Sequence, residues 1–330
     1  MLSVLLGLSG IASAQDLVKY ETLSAVTHGK ETASVTFRVT VDGSFGFAVD
    51  CGVKKWSKPV ERLGAGSEVK LELVGLPKGS HDCSGSIEVD SDQGSGTLTF
   101  RTPMASLEPL DWKATLDDVD LKERTARPWA SRPLTRATAV ITSTEGDRLG
   151  EVVADLEDPQ RPLFHWSPTD EVLTIAIVAT DVHGFKSSLD LSPWTYEIPH
   201  DDVVFATNAH EVVASEVKKL EATWNDVQAV LRKFGNYVDI HLYVAGYTDT
   251  VGSASSNQGL SERRARSIAL WFKERGFPGK VYSQGFGESV LAVATPDETD
   301  AEANRRALYI LAASPPRTSD AIPRSSWRQE

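Results

Sequence analysis

The stretch VAGYTDTVGSASSNQGLSERRARSIALWF, residues 244–272, decides the fold of the C-terminal part of the chain. It reads as the end of a strand, a turn-rich loop and then a helix. At about 100° per residue, one face of that helix collects the apolar residues Leu260, Ile268, Trp271 and Phe272. Arg264 lies at the edge of this face. An unpaired buried guanidinium costs several kcal/mol, so Arg264 needs a carboxylate or a set of acceptors.

The nearest candidate partner for Arg264 is Asp249, at the carboxyl end of the preceding strand. Loops beyond the carboxyl ends of strands are where sheet-and-helix folds open crevices for ligands. In one interpretation the two residues form a structural ion pair. In the other, Asp249 takes an ammonium group while the planar guanidinium of Arg264 binds a neighbouring carboxylate. The residues alone leave both interpretations open.

A longer pattern surrounds this pair: GYTDTVGSASSNQGLSERRARSIALWF, then SQGFGES, then ANRRALYI. From about Val203 to Leu311 it closely resembles the peptidoglycan-binding OmpA-like C-terminal domain. The resemblance implies an α/β (α+β) domain with helices packed on a mixed sheet, over residues 199–314. It also implies a ligand, the free end of diaminopimelate in the peptidoglycan stem peptide. That end carries an amine and a carboxylate on one carbon.

By position in the family's motifs, Asp249 and Arg264 are the ligand-binding aspartate and arginine. The resemblance also places Asn208 and Arg305 at the pocket rim and lets Thr248 line the pocket through its backbone or hydroxyl. Asn208 can equally be a helix N-cap, and Arg305 a surface strand residue.

Two further positions help to define the motif. Tyr247 stands where the family commonly has histidine, which would retain an aromatic wall of the pocket. Asn257 is expected to anchor the loop or the helix start rather than to contact ligand.

The hydrophobic period before residue 200 is that of strands. SVTFRVTV and VKLEL alternate apolar and polar residues, and turn signals separate such runs at the spacing of all-β sandwiches. We therefore expect two immunoglobulin-like β-sandwich domains, residues 15–105 and 106–198. Trp166 and Trp194 are expected to fill the core of the second one.

After residue 200 the pattern alternates strand and helix. DVVF (202–205) is expected to be a short strand, and Asn208 with Glu211 three residues later resembles a capping box that starts a helix. YVDIHLYVAGY, KVYSQGFGE and RRALYILAA are further strand candidates. The polar, proline-containing segment 315–330 is expected to be disordered.

The first fourteen residues, MLSVLLGLSGIASA, are interpreted as a secretory signal peptide, with a buried strand or helix as the alternative. In an exported chain, the two cysteines, Cys51 and Cys83, favour one disulfide over two separate buried thiols. No later stretch is apolar for about 18 residues, so no transmembrane helix is expected.

The net charge of −12 argues against nucleic acid as the main partner. No metal or cofactor is expected, and no set of residues meets the requirements of a wall-processing hydrolase. The leading hypothesis is a non-enzymatic periplasmic protein that holds peptidoglycan non-covalently and faces another envelope protein through its β domains. The alternative is an adhesion or assembly scaffold whose main activity lies in those domains. Contact with the outer membrane is left open.

Overall fold

The computed structural model describes residues 17–167, 171–206, 209–323 and 326–330. The segment interpreted as a signal peptide and the rim candidate Asn208 lie outside these residues. Contacts divide the chain into two compact units. One comprises residues up to Asp111 with 131–135 and 180–187, and the other comprises Trp112–Ala130, Arg136–Ala179 and Ser188–Glu330.

The first unit contains two β-sheets, and the long strands of one of them alternate buried and exposed residues. Its strands are β1 (Val18–Leu23), β2 (Ala25–Thr27), β3 (Ser34–Val39), β4 (Gly43–Asp50), β5 (Lys55–Leu63), β6 (Glu68–Glu72), β7 (Gly79–Ser91) and β8 (Gly94–Leu107). One sheet has the order β1-β3-β6 and the other the order β2-β8-β7-β4-β5. Both contribute to one hydrophobic core.

Aromatic rings connect the two sheets in this core. Phe37 of β3 stacks on Phe47 of β4, with 4.4 Å between ring centroids, and meets Phe100 of β8 edge-on at 6.0 Å. Cys51, just after β4, forms the expected disulfide with Cys83 of β7. Because β4 and β7 are hydrogen-bonded neighbours, the disulfide ties adjacent strands of one sheet.

The second unit begins with short strands and small sheets. Its first nine strands are β9 (Trp112–Lys113), β10 (Val119–Asp120), β11 (Thr125–Ala126), β12 (Trp129–Ala130), β13 (Leu134–Ser143), β14 (Arg148–Val153), β15 (Phe164–His165), β16 (Val172–Asp181) and β17 (Lys186–Leu191), of which the ends of β13, β16 and β17 fall in the first unit. The largest sheet here has the order β14-β13-β16-β17. Trp166 is buried, as expected of a core aromatic.

The C-terminal part of the second unit has two helices on a five-stranded sheet. Its elements are β18 (Thr195–Glu197), α1 (Val217–Phe234), β19 (His241–Tyr247), α2 (Ala254–Glu274), β20 (Val281–Gly287), β21 (Ala307–Ala312) and β22 (Arg328–Gln329). The strand order is β18-β21-β19-β20-β22. Strand β19 is parallel to β20 and antiparallel to β21, so the sheet is mixed. The expected fold class, β-sandwich structure followed by an α/β domain, is confirmed.

Helix α2 lies very close to the two strands that it connects. A Cβ atom on Gly246 of β19 would lie 2.6 Å from the Ser261 carbonyl oxygen. One on Gly285 of β20 would lie 2.3 Å from the Glu262 nitrogen. Only glycine permits this approach, which fixes Arg264, two residues further along α2, relative to the end of β19.

The expected strand at 202–205 is wrong, because its backbone is engaged by side chains. The Val204 N–H donates to the Glu216 carboxylate at 2.8 Å, and Lys219 donates to the Asp202 carbonyl at 2.8 Å. The edge of β21 is instead paired with β18, Tyr196 opposite Leu311. Residues 195–197, assigned from sequence to the second sandwich, therefore belong to the mixed sheet.

Two neighbouring predictions also need correction. Helix α1 begins at Val217 rather than just after Asn208, and the side chain of its N-cap residue Glu216 bonds Val204 instead of capping the helix. Trp194 packs in the C-terminal core rather than in that of a second sandwich, with its ring centroid 4.8 Å from that of Phe234.

The tail expected to be disordered instead covers the sheet face opposite the helices. Strand β22 pairs with the edge of β20, and Trp327 meets Tyr243 edge-on at 5.2 Å. Ile322 is buried in the same aromatic cluster. The Glu330 carboxylate is almost fully enclosed and accepts from Ser283 at 2.7 Å. Tyrosine and phenylalanine side chains on this face explain the ordering, since the tail removes them from water.

Within the residues that the structure describes, no helix is long and apolar enough to cross a membrane.

Candidate functional site

A cavity of about 540 Å³ lies beside the carboxyl end of β19 and the start of β21. Its walls come from the irregular segment 201–205, from the side of α2 and from residues 302–307. Charged side chains line it, and four of them are cations: Lys219, Arg264, Arg305 and Arg306. Three acidic residues, Asp201, Asp202 and Glu302, line it as well. Such a cavity is suited to a small polar ligand that carries charges of both signs.

Arg264 is half-buried against the segment that precedes α1. Its Nε donates to the Ala209 carbonyl oxygen at 3.0 Å, and Nη2 lies 3.4 Å from that of Ala206. The guanidinium also lies over the Phe205 ring, 5.0 Å from its centroid. Burial lowers the pKa of Arg264, while the charge of nearby Asp249 raises it. Arg264 thus meets acceptors at the edge of the apolar face, as its position on α2 requires.

Asp249 follows β19 and is only 7% exposed. Its Oδ2 accepts from Arg305 Nη1 at 2.5 Å. The same Arg305 nitrogen also bonds the exposed Asp300 carboxylate, and the two carboxylates together raise the pKa of Arg305. The direct ion pair expected between Asp249 and Arg264 is absent among the described contacts, and Arg305 takes that place. Asp249 is still close enough to Arg264 to oppose, through its negative charge, the lowering of the Arg264 pKa by burial.

Buried amide side chains hold the loops that carry Asp249 and Arg305. Asn257 donates to the carbonyl oxygens of Asp249 at 3.3 Å and Val251 at 3.1 Å, which confirms it as a loop anchor. Asn304 accepts from the Val293 N–H at 2.9 Å and donates to the Val293 carbonyl at 3.0 Å. Each asparagine therefore replaces backbone partners that an irregular loop lacks.

A third anchor joins the two loops to each other. Thr250 donates its hydroxyl to the Pro296 carbonyl at 2.7 Å and accepts from the Thr299 N–H at 3.1 Å. Between these residues, Glu298 adopts a positive φ of 53°, which is uncommon for a residue other than glycine. The contacts to Thr250 hold this strained turn beside Asp249.

Tyr247 lines the cavity, whereas Thr248, expected to line the pocket, is not among its lining residues. Thr248 is buried, and within the described part of the chain its hydroxyl has no hydrogen-bond partner. Tyr247 lines the cavity, but its hydroxyl donates to the Ala321 carbonyl of the tail at 2.6 Å. Burial raises the pKa of Tyr247. The ring is thus both a wall, as expected, and a link to the tail.

The structure brings together Asp249, Arg305 and Thr248 at one end of β19, with Arg264 on the facing helix. Sequence reasoning missed Asn304, Thr250 and Arg306. Asn304 and Arg306 belong to the NRR motif that was used only to place Arg305, so the signal was present. Among the described residues, no group of three or more His, Cys, Asp and Glu side chains could hold a metal ion.

Comparisons with known proteins concern mainly this domain. The model of the OmpA family matches residues 204–305. Outer membrane protein A of Escherichia fergusonii is 36% identical over 89 residues, 27% of this chain and 35% of that protein. The protein of the same name from Serratia marcescens is 35% identical over 89 residues, 27% of this chain and 23% of that protein. The aligned segment thus spans about a third or less of these relatives.

Among solved structures, the OmpA-like domain of FopA1 from Francisella tularensis aligns with 43% of this chain and 78% of its own, at 18% identity and a TM-score of 0.25. Fibronectin(III)-like modules of Clostridium thermocellum CbhA align with 53% of this chain and 93% of their own, at 15% identity and a TM-score of 0.30. Such low scores add nothing to the architecture described above. On the family match and the sequence relatives, residues 204–305 are an OmpA-like domain. The strands that precede it form the β-sandwich structure described above.

Proposed function

We propose that the OmpA-like domain binds peptidoglycan non-covalently and without catalysis, by taking the zwitterionic free end of diaminopimelate into the cavity beside β19. The protein would be exported to the periplasm and held at the cell wall by this domain. Its β-sandwich structure would then be free to face another envelope component.

The proposal rests on the burial of Arg264 and on the groups that surround it. Its guanidinium lines the cavity, is half-buried, and has carbonyl oxygens and a ring as neighbours but no carboxylate within ion-pair distance among the described residues. Burying a cation without a counter-ion is unfavourable. A ligand carboxylate would supply that counter-ion and accept two parallel N–H bonds.

Asp249 supplies the opposite charge beside it. Its Oδ2 is held by Arg305, while Oδ1 has only a long contact, 3.4 Å, from the Val251 N–H. Asp249 is not among the residues that line the cavity, so an ammonium group on the same carbon as the carboxylate would meet this oxygen at the edge of the cavity, beside Arg305. Arg305 would then hold the carboxylate of Asp249 in position rather than contact the ligand itself.

Co-sedimentation of the full chain with purified diaminopimelate-type peptidoglycan tests the proposal. We expect Arg264→Ala and Asp249→Asn each to lower the pelleted fraction at least tenfold, because each removes a charged hydrogen-bond partner. Lysine-type peptidoglycan should pellet the wild type poorly, since lysine lacks the second carboxylate.

The matched control is Arg263→Ala. Arg263 is the exposed neighbour of Arg264 on α2 and carries the same charge. Melting curves of all variants separate lost binding from lost folding. If folded Arg264→Ala sedimented as well as Arg263→Ala, the binding site would be wrongly assigned.

A further inference from the structure

A second half-buried guanidinium, that of Arg306, lines the same cavity. Its Nη1 has one long contact, 3.4 Å, to the Val290 carbonyl oxygen. Its remaining close neighbour is the Tyr247 ring, whose centroid lies 4.0 Å from the guanidinium carbon. A guanidinium has five N–H donors, so these contacts leave most of its donors without a protein partner among the described residues.

The other cations of the cavity are neutralised differently. Arg305 bonds Asp249 and Asp300, and Lys219 pairs with Glu216 at 2.8 Å. No carboxylate of the described residues lies within ion-pair distance of Arg264 or Arg306. The cavity therefore contains two arginines that lack a direct counter-ion.

Acidic groups near Arg306 act only from a distance. Burial lowers the pKa of Arg306, and the more distant charges of Asp202 and Glu197 oppose this effect. Asp202 already accepts the Ala307 N–H at 2.9 Å through its carboxylate. Asp202 forms no ion pair with Arg306 among the described contacts, so its charge reaches the guanidinium only through space.

Arg306 is held in position before any ligand arrives. It lies on the Tyr247 ring, which in turn is fixed by its hydrogen bond to Ala321 and by stacking on Phe286 at 5.4 Å. A pre-positioned arginine loses little side-chain entropy on binding an anion. These are the properties of a binding group rather than of a solvated surface charge.

We propose that Arg306 forms a second carboxylate subsite, which binds a free carboxylate of the wall peptide other than the one taken by Arg264. The inference rests on the proposed function and extends it. The ligand class becomes a peptide with at least two free carboxylates, one of them beside the free amine of diaminopimelate. Amidation of the others should weaken binding.

Titration calorimetry of the full chain with two synthetic peptides tests this subsite. Both peptides are Ala-γ-Glu-diaminopimelate. One has all carboxylates free. In the other, every carboxylate is amidated except the one that shares a carbon with the free amine of diaminopimelate. We expect the wild type to bind the amidated peptide about tenfold more weakly, the usual value of one charged hydrogen-bonded contact.

Variants then assign the effect to Arg306. Arg306→Gln should bind the free peptide about tenfold more weakly and lose its preference over the amidated one. Arg306→Lys should regain part of that preference, and the exposed-site control Arg263→Gln should match the wild type. The wild-type comparison alone remains informative if Arg306→Gln proves unfolded.

The outcomes separate the two proposals. Equal wild-type affinity for both peptides would overturn the second subsite and leave diaminopimelate binding intact. Binding of neither peptide would overturn both. A preference that survives in folded Arg306→Gln would show that another group recognises the carboxylate.

Discussion

The sandwich formed by residues 17–111 and the OmpA-like domain bury different kinds of side chain. In residues 17–111 the buried polar residues are Ser34, Thr102 and Ser106, all small hydroxyls. The OmpA-like domain buries Asp249, Asn257 and Asn304 as well. Ion pairs of the sandwich, such as Lys70–Glu72, have side chains more than half exposed, whereas the Asp249 side chain is 10% exposed.

This difference shows where each region places its polar groups. The sandwich core consists of many apolar residues, so its stability is spread over many contacts. One disulfide bond reinforces it. In the OmpA-like domain, amides and charges concentrate at the loops beside β19, where they hold a cavity open. Buried polar groups of this kind are destabilising unless they are paired, so the second region should be sensitive to polar substitutions and the first to apolar ones.

The largest effect should come from Phe37→Ala in the sandwich. Phe37 is fully buried between Phe47 and Phe100, and its truncation leaves a cavity that neighbours only partly fill. We expect a loss of about 3–5 kcal/mol of unfolding free energy, measured by urea titration. Phe37→Leu should lose clearly less, and equal losses for the two variants would contradict a packing origin.

The disulfide should contribute nearly as much. Cys51 and Cys83 are 32 residues apart, and closing a loop of that length restricts the unfolded chain by about 3–4 kcal/mol. Calorimetry of the double variant Cys51→Ser, Cys83→Ser should show that the sandwich unfolds at a lower temperature. Reductant should have no effect on this variant, because the chain contains no other cysteine.

In the OmpA-like domain, Asn304→Ala should cost about 2–3 kcal/mol, because it removes the two hydrogen bonds that the fully buried Asn304 side chain makes to the Val293 N–H and carbonyl. The exposed helical residue Asn225 provides the control, Asn225→Ala, which should be neutral. Since Arg305 follows Asn304 directly, diaminopimelate affinity should fall in the same variant. A neutral result would mean that the loop is held by other contacts.

A smaller effect, about 1–2 kcal/mol, is expected for Trp327→Ala in the tail. The half-buried ring contacts Tyr243 and Phe286 edge-on. Such aromatic pairs stabilise a fold by more than their buried area alone accounts for. Gln329→Ala, an exposed change in the same tail, should leave the melting temperature unchanged. Similar melting temperatures for the two variants would show that the tail does not support the sheet.

Helix α2 was predictable because its signals are local. The apolar spacing of Leu260, Ile268 and Phe272 fixes the buried face, and Ser253 caps the start through a bond to the Ser256 N–H. The same spacing placed Arg264 at the edge of that face. The disulfide and the alternating strands of the sandwich were predictable for similar reasons.

The failures share a different cause. Whether residues 202–205 form a strand depends on Glu216 and Lys219, which engage their backbone from another element. The ordering of the tail depends on an aromatic face assembled from β19 and β20. The Asp249–Arg305 pair joins residues 56 positions apart. None of these contacts leaves a periodic trace in the sequence.

The strand order of the mixed sheet has a practical consequence for anyone who wishes to isolate the OmpA-like domain. A recombinant fragment cut at residues 199 and 314 would omit β18 and β22, which are both edge strands. It would expose unpaired backbone on β20 and β21 together with the aromatic face around Tyr243, a combination that promotes self-association. Fragments that begin before Trp194 and end at Glu330 should stay monodisperse.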